Sequence, residues 1–166
     1  MAFTRQLTRH LLTLLCVTGV LILTACAAKQ TDSQTLFVEI SNQTFELELA
    51  LSVNQRFQGL SDRKQIPANG GMLFVFPIAK IRTFVMRKCY VPIDIIFLDP
   101  GQRIVAMHQM TVEPYDTAQY NLKAYSSKWP AMYAIELAGG TLVKLKLKAG
   151  DKIPFELSED LKRQVQ

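Results

Sequence analysis

The sequence predicts a mainly β domain: an antiparallel β-barrel or jelly-roll-like sandwich carrying one or two short helices. Three observations lead there. From Leu36 onward the chain is cut into short apolar runs that follow one another closely. Turn signals such as Asp99-Pro100-Gly101-Gln102 and Gly139-Gly140 separate them. Within the run Thr44 to Leu49, Phe45, Leu47 and Leu49 alternate with Glu46 and Glu48, the mark of a strand with one buried and one wet face.

The elements follow in order. Leu36 to Ile40 and Thr44 to Leu49 flank Ser41-Asn42-Gln43 as a hairpin. Ser52 opens a short helix, Gln55 stands at the capping-box spacing, and Gly59 is placed to stop it. Met72 to Phe76 is continuously apolar, as in a strand covered on both faces. Ile81 to Met86, Ile93 to Leu98 and Arg103 to Met110 are further strands, the last two joined by the turn at Pro100-Gly101. Thr111 to Lys128 is polar, holds Pro114 and three tyrosines, and forms a long surface loop. Ala131 to Leu137 is a strand, Thr141 to Lys148 a strand or frayed helix, and Ile153 to Leu157 the last strand.

Ahead of this domain, residues 1–25 have the build of a lipoprotein signal peptide. Arg5 and Arg9 precede an apolar stretch, Leu11 to Leu23, that is shorter than the ~20 residues a spanning helix needs. It ends Leu23-Thr24-Ala25-Cys26, where Cys26 is the expected lipidation site and mature N-terminus. Residues 26–35 form a small, polar tether, and 36–160 a single β domain. Removing 1–25 leaves 17 basic and 14 acidic residues, a net charge of +3 that is too small and too interspersed for a nucleic-acid partner. With Cys16 removed and Cys26 acylated, Cys89 is the one remaining thiol, expected to be buried and inert.

The motifs Arg56-x-x-Gly59-Leu60-Ser61-x-Arg63, Gly71-Met72-Leu73-Phe74-Val75-Phe76, Phe84-Val85-Met86 with Pro92 to Asp99, Ile135 to Gly140, and Gly150-Asp151 occur in one order. In that order they resemble the family called domain of unknown function 192, over nearly the whole mature domain. The resemblance implies a compact barrel or jelly-roll-like sandwich and carries no established activity. Val85 stands where the family usually has tryptophan, and Arg87-Lys88-Cys89 where it has a polar Lys-Asn-Thr, so a groove lined by that segment is altered here.

No phosphate-binding glycine loop, His-Glu-x-x-His, Cys-x-x-Cys or Gly-x-Ser-x-Gly elbow occurs. Catalytic residues, metal and cofactor are accordingly assigned as none. Arg63, Asp94 and Glu136 sit among apolar neighbours, where an isolated charge is costly. They serve either as a structural ion-pair cluster or as a site for a polar ligand such as a glycan, with hydrolysis through Asp94 and Glu136 as the enzymatic alternative. Met86, His108 and Met110 suit copper chemically but suit core packing better. Basic groups gather at Lys80, Arg82, Arg87 and Lys88, and at Lys144, Lys146 and Lys148, fitting either a solvated face or an anionic envelope component. The segment Phe84 to Tyr90 sets apolar beside cationic side chains, so Phe84, Met86 and Arg87 complete the candidate binding set with Arg63, Asp94 and Glu136.

The expected protein is a lipid-anchored binding or interaction module of the bacterial envelope, facing the periplasm. Ala27, where aspartate would resemble an inner-membrane retention signal, favours the outer membrane. Replacing Cys26 by Ser should abolish acyl labelling and release the protein from membranes. Unchanged mass and fractionation in that variant would refute the lipid assignment.

Overall fold

A computed structural model describes residues 34–166; the signal segment, Cys26 and nearly all of the tether lie outside the described residues. The described chain is mainly β. Its core is one six-stranded sheet built from β1 (Thr35–Ile40), β2 (Gln43–Ala50), β3 (Gly70–Lys80), β5 (Ile93–Leu98), β6 (Ile104–Met110) and β8 (Ala131–Ala138). The spatial order is β1-β2-β3-β8-β5-β6. β4 (Thr83–Phe84) and β7 (Tyr125–Ser126) form a separate two-stranded ribbon. The sheet stays open, with β1 and β6 as its edges, so the arrangement is sandwich-like and not a closed barrel.

Local chemistry explains most of it. The β1–β2 hairpin turns through Ser41 and Asn42, both at positive φ, and Phe45, Leu47 and Leu49 point into the core while Glu46 faces water. α1 (Val53–Gln58) opens with the full capping box: Ser52 Oγ accepts from the Gln55 N–H, and Gln55 Oε1 accepts from the Ser52 N–H at 2.9 Å. Because α1 is a crossover between β2 and β3, those two strands run parallel, the single departure from the antiparallel arrangement expected. Met72 to Phe76 is buried along its full length, as its unbroken apolar run requires. Close strand approach makes Gly71 obligatory, since a Cβ there would lie 2.2 Å from the Glu136 carbonyl oxygen.

The sheet's two faces carry separate cores. One holds Phe45, Leu47, Leu73, Ile96, Ile135 and Leu137, and is covered by Leu145, Ile153, Phe155 and Leu157 from the C-terminal segment. The other holds Phe74, Ile95, Phe97 and Ala134, and is covered by Leu60, Met86, Cys89 and Tyr125 from the loops.

Ile153 to Leu157, Ile81 to Met86 and the C-terminal stretch differ from expectation. Ile153 to Leu157 has a strand's alternation, with Ile153, Phe155 and Leu157 buried between exposed neighbours, but it joins the sheet only through an isolated Arg103–Lys152 bridge. Pro154 lacks the N–H a ladder needs. Gln102 stands in for a partner strand, donating from Nε2 to the Phe155 carbonyl at 2.8 Å and accepting the Phe155 N–H at 3.3 Å. Thr141 to Lys148 resolves into the short helix α2 (Thr141–Leu145), stopped by Lys146 in the left-handed region. Ile81 to Met86 shrinks to the two residues of β4, and a further helix, α3 (Glu159–Arg163), capped by Ser158, follows the strap.

Asp94 shows how the sheet holds α2. It is 1% exposed, and its Oδ2 accepts the Leu142 N–H at 2.7 Å, tying the first turn of α2 to β5. Asp94→Ala removes that acceptor and strands a backbone donor, so stability should fall by about 1–3 kcal/mol. A thermal melt unchanged from wild type would show that the α2 contact contributes nothing.

Candidate functional site

A cleft of about 480 Å³ opens on the face of the sheet covered by loops. Its walls are aromatic: Phe74 and Phe76 from β3, Phe84 from β4 and Phe57 from α1. Phe84 is held by edge-on contacts, its centroid 5.0 Å from that of Phe74 and 5.5 Å from that of Phe97. Val85 also lines the wall, where a tryptophan would be far bulkier.

Three guanidinium groups surround this apolar interior, and among the described residues none forms a salt bridge with an Asp or Glu side chain, although the charge of Arg87 reaches Asp62. Arg82 lies 3.9 Å over the Phe76 ring and donates to the carbonyls of Ile78 and Ala131. Its backbone is pinned to the ribbon by the Ser127 N–H at 2.8 Å and the Ser127 hydroxyl at 2.9 Å. Arg87 lies 4.3 Å over Phe57 and donates to the Phe57 carbonyl at 2.7 Å. Arg56 spends its donors on the oxygens of Leu51, Val75 and Gln166. Burial weakens the proton affinity of Arg56 and Arg82, and for Arg82 the charge of Arg56 acts in the same direction. A guanidinium offers five N–H donors, so Arg82 and Arg87 both retain donors for a ligand.

At the base sits Glu136, 5% exposed, on the central strand β8. Its cross-strand partners are Met72 and Ile95, both apolar. Burial pushes its carboxyl up to about 8, against the opposing pull of the Leu60 N–H bond and the Arg63 charge. The protonated form of the carboxyl is therefore favoured relative to an ordinary glutamate. Oε2 is buried without a hydrogen-bond partner. Gly59 lies beside it: the φ of +52° suits only glycine there, and a Cβ would crowd the Phe74 ring at 3.3 Å. Cys89 also lines the cleft, buried as expected, its thiol pushed up to about 11 by burial and by Glu136.

A loop is fastened beside the cleft. Tyr115 donates to Asp62 Oδ1 at 2.6 Å and stacks on Tyr90 at 5.0 Å, while Lys88 reaches over the Tyr115 ring. Further along the same loop, Gln119 lines the cleft.

Of the side chains singled out from the sequence, Phe84, Arg87 and Glu136 meet at this cleft, and the other three do not. Met86 is 1% exposed and packs in the core. Arg63 forms a two-pronged salt bridge with Glu48, including Nη2 to Oε2 at 2.6 Å, beside a second hollow of about 320 Å³. Asp94 pairs across strands with Leu137, whereas Glu136 pairs with Ile95. Paired residues share a face and neighbours alternate, so Asp94 and Glu136 project from opposite faces of the sheet. The Arg63–Asp94–Glu136 cluster is thus corrected: Asp94 lies on the other face, Arg63 is paired with Glu48 and reaches Glu136 only through its charge, and Asp94 and Glu136 cannot flank one glycosidic bond. His108 bonds the Ser126 carbonyl at 2.7 Å, and Met110 is buried beside Met86 in the same core. Sequence reasoning missed Phe57 and Phe76 as cleft walls and Arg56 as a cleft cation. The signal for Phe57 was an aromatic on a short, solvent-facing helix.

The Glu136 carboxyl couples stability to pH. Its affinity for protons is higher folded (about 8) than in an ordinary carboxyl (4.5). Its stabilising share is therefore complete below the ordinary value and is lost as pH rises through about 8. Glu136→Gln removes this slope, so the melting curves of variant and wild type should diverge across that window in favour of Gln, by a few kcal/mol in order of magnitude. Parallel melting temperatures at every pH would show that the carboxyl ionises normally.

The comparisons with other proteins agree with this architecture. Two solved structures align with the chain. One, from Sinorhizobium meliloti 1021 and described as a candidate transcription regulator, is 30% identical, with a TM-score of 0.62 over 74% of this chain and 94% of that one. The other, a protein of unknown function from Novosphingobium aromaticivorans DSM 12444, is 27% identical, with a TM-score of 0.66 over 76% of this chain and 89% of that one. No curated protein matches. The family model DUF192, described as an uncharacterized ACR, matches residues 36–155, and with that span covering the whole sheet the chain belongs to the domain of unknown function 192 family.

Proposed function

We propose that this protein is a lipid-anchored binding module of the bacterial cell envelope that takes a small anionic, partly apolar ligand into the cleft between β3, β4 and α1. The observation that carries the binding reading is the pairing of an aromatic interior with Arg82 and Arg87, whose charges rest on ring faces and carbonyls and form no salt bridge among the described residues. A cleft of about 480 Å³ falls within the range of small-molecule sites, roughly 300–1,000 Å³. Guanidinium groups give strong, directional contacts to carboxylate, sulfonate or phosphate. Hydrolysis through Asp94 and Glu136 is not supported, because the strand register turns the two carboxyls to opposite faces of the sheet. The lipobox ending at Cys26 supports anchorage, and acyl chains would hold the domain near the membrane surface. Outer-membrane residence is supported by Ala27.

The test is ligand-induced stabilisation. Alkyl phosphates, aromatic sulfonates and aromatic carboxylates should raise the melting temperature of the purified full-length chain, while uncharged analogues of equal size should not. At a hundred times its Kd a ligand adds about 2.7 kcal/mol of stability. Arg82→Ala and Arg87→Ala should each weaken the response about tenfold in apparent affinity. Equal shifts from charged and uncharged compounds would remove the anion-binding reading, and no shift from any would remove the cleft as a site.

A further inference from the structure

Among the described residues, one buried side-chain polar atom has no hydrogen-bond partner, and it lies in the cleft: Oε2 of Glu136. Such atoms are rare in folded proteins, and one at the base of an open cleft is placed for a partner arriving from outside. The groups around it leave it that role. On β3 and β5 the cross-strand partners of Glu136 are Met72 and Ile95, and beyond Met72 the same face carries Glu48 of β2. From the loop after α1 it receives the Leu60 N–H and, at longer range, the charge of Arg63, which is committed to Glu48. From the loop before β5 it faces Cys89, whose thiol keeps its proton to about 11. Asp62, further out on the α1 loop, is engaged by Tyr115.

We propose that the ligand is an organic acid with a flat apolar body, its anionic group on Arg82 and Arg87 and an uncharged oxygen at its far end accepting a hydrogen bond from the Glu136 carboxylic acid. This rests on the cleft being a binding site and specifies what that site selects. The aromatic walls between the two ends, Phe74, Phe76 and Phe84, contact the body. A donor at the base discriminates strongly, because a ligand without the oxygen leaves a buried polar group unpaired. It also makes binding fall with rising pH, since an ionised Glu136 has no proton to donate and repels electron-rich oxygen.

Three probes separate these requirements. 4-Acetylbenzoate has both a carboxylate and a distal ketone, 4-isopropylbenzoate is of similar size without the oxygen, and methyl 4-acetylbenzoate has the ketone without the charge. Calorimetric titration of the full-length chain near pH 6.5 should give 4-acetylbenzoate roughly tenfold tighter binding than either analogue. Its affinity should drop about tenfold by a pH near 9.5 in wild type and stay flat in Glu136→Gln, whose amide donates at every pH. Glu136→Leu should bind the acetyl and isopropyl acids equally. If wild type binds both acids equally, or if Glu136→Gln keeps the wild-type pH profile, the Glu136 contact is wrong while the cleft stands. If neither acid binds, the cleft reading fails and this inference with it.

Discussion

Strand β8 is bonded on both edges, to β3 and to β5, and among its eight residues it carries a carboxyl into an apolar layer. That placement constrains much of what surrounds it. Burial disfavours a charge there and raises the carboxyl's proton affinity, one N–H from Leu60 bonds it, and the chain after α1 must come close enough to deliver that bond. Gly59 releases the helix at a positive φ that a side chain would strain, and Gly71 lets β3 press on the Glu136 carbonyl, where a Cβ would clash. The spacing of Arg56, Gly59, Leu60 and Arg63 thus has a physical content: helix, release, donor, and a cation anchored to Glu48.

The cleft cations follow a different logic. Salt bridges in this domain gather elsewhere, at Arg63–Glu48 and along α3. Beside the cleft, ring faces and main-chain carbonyls do the seating. Neither neutralises a guanidinium, so position is fixed while charge is kept, and the aromatic surface excludes water that would otherwise screen it.

Much of the fold was legible in the sequence because its signals are local. The Phe45–Leu49 alternation, the Ser52–Gln55 box and the Pro100-Gly101 turn each act over a few residues. The failures are non-local. Ile153 to Leu157 has a strand's alternation, yet Pro154 and the Gln102 bonds decide its state. Phe84 and Arg87 were visible as a mixed apolar and cationic segment, but Phe57 joins them only through the crossover that makes β2 and β3 parallel. Asp94 and Glu136 looked like partners because each is an acid among apolar residues. Strand register, which no local pattern encodes, turns them to opposite sides.

The C-terminal strap has a consequence for synthesis. The sheet is complete once β8 has been made, but most of the cover over the face bearing Leu47, Leu73, Ile96 and Ile135 comes after it, from Leu142 to Val165. A growing or prematurely ended chain therefore carries a finished sheet with one bare apolar side, a sticky half-molecule of the kind that chaperones hold and proteases clear. For this fold a late stop codon is no mild lesion, because the dozen residues from Lys146 to Leu157, almost devoid of regular structure, complete the roof over half the core.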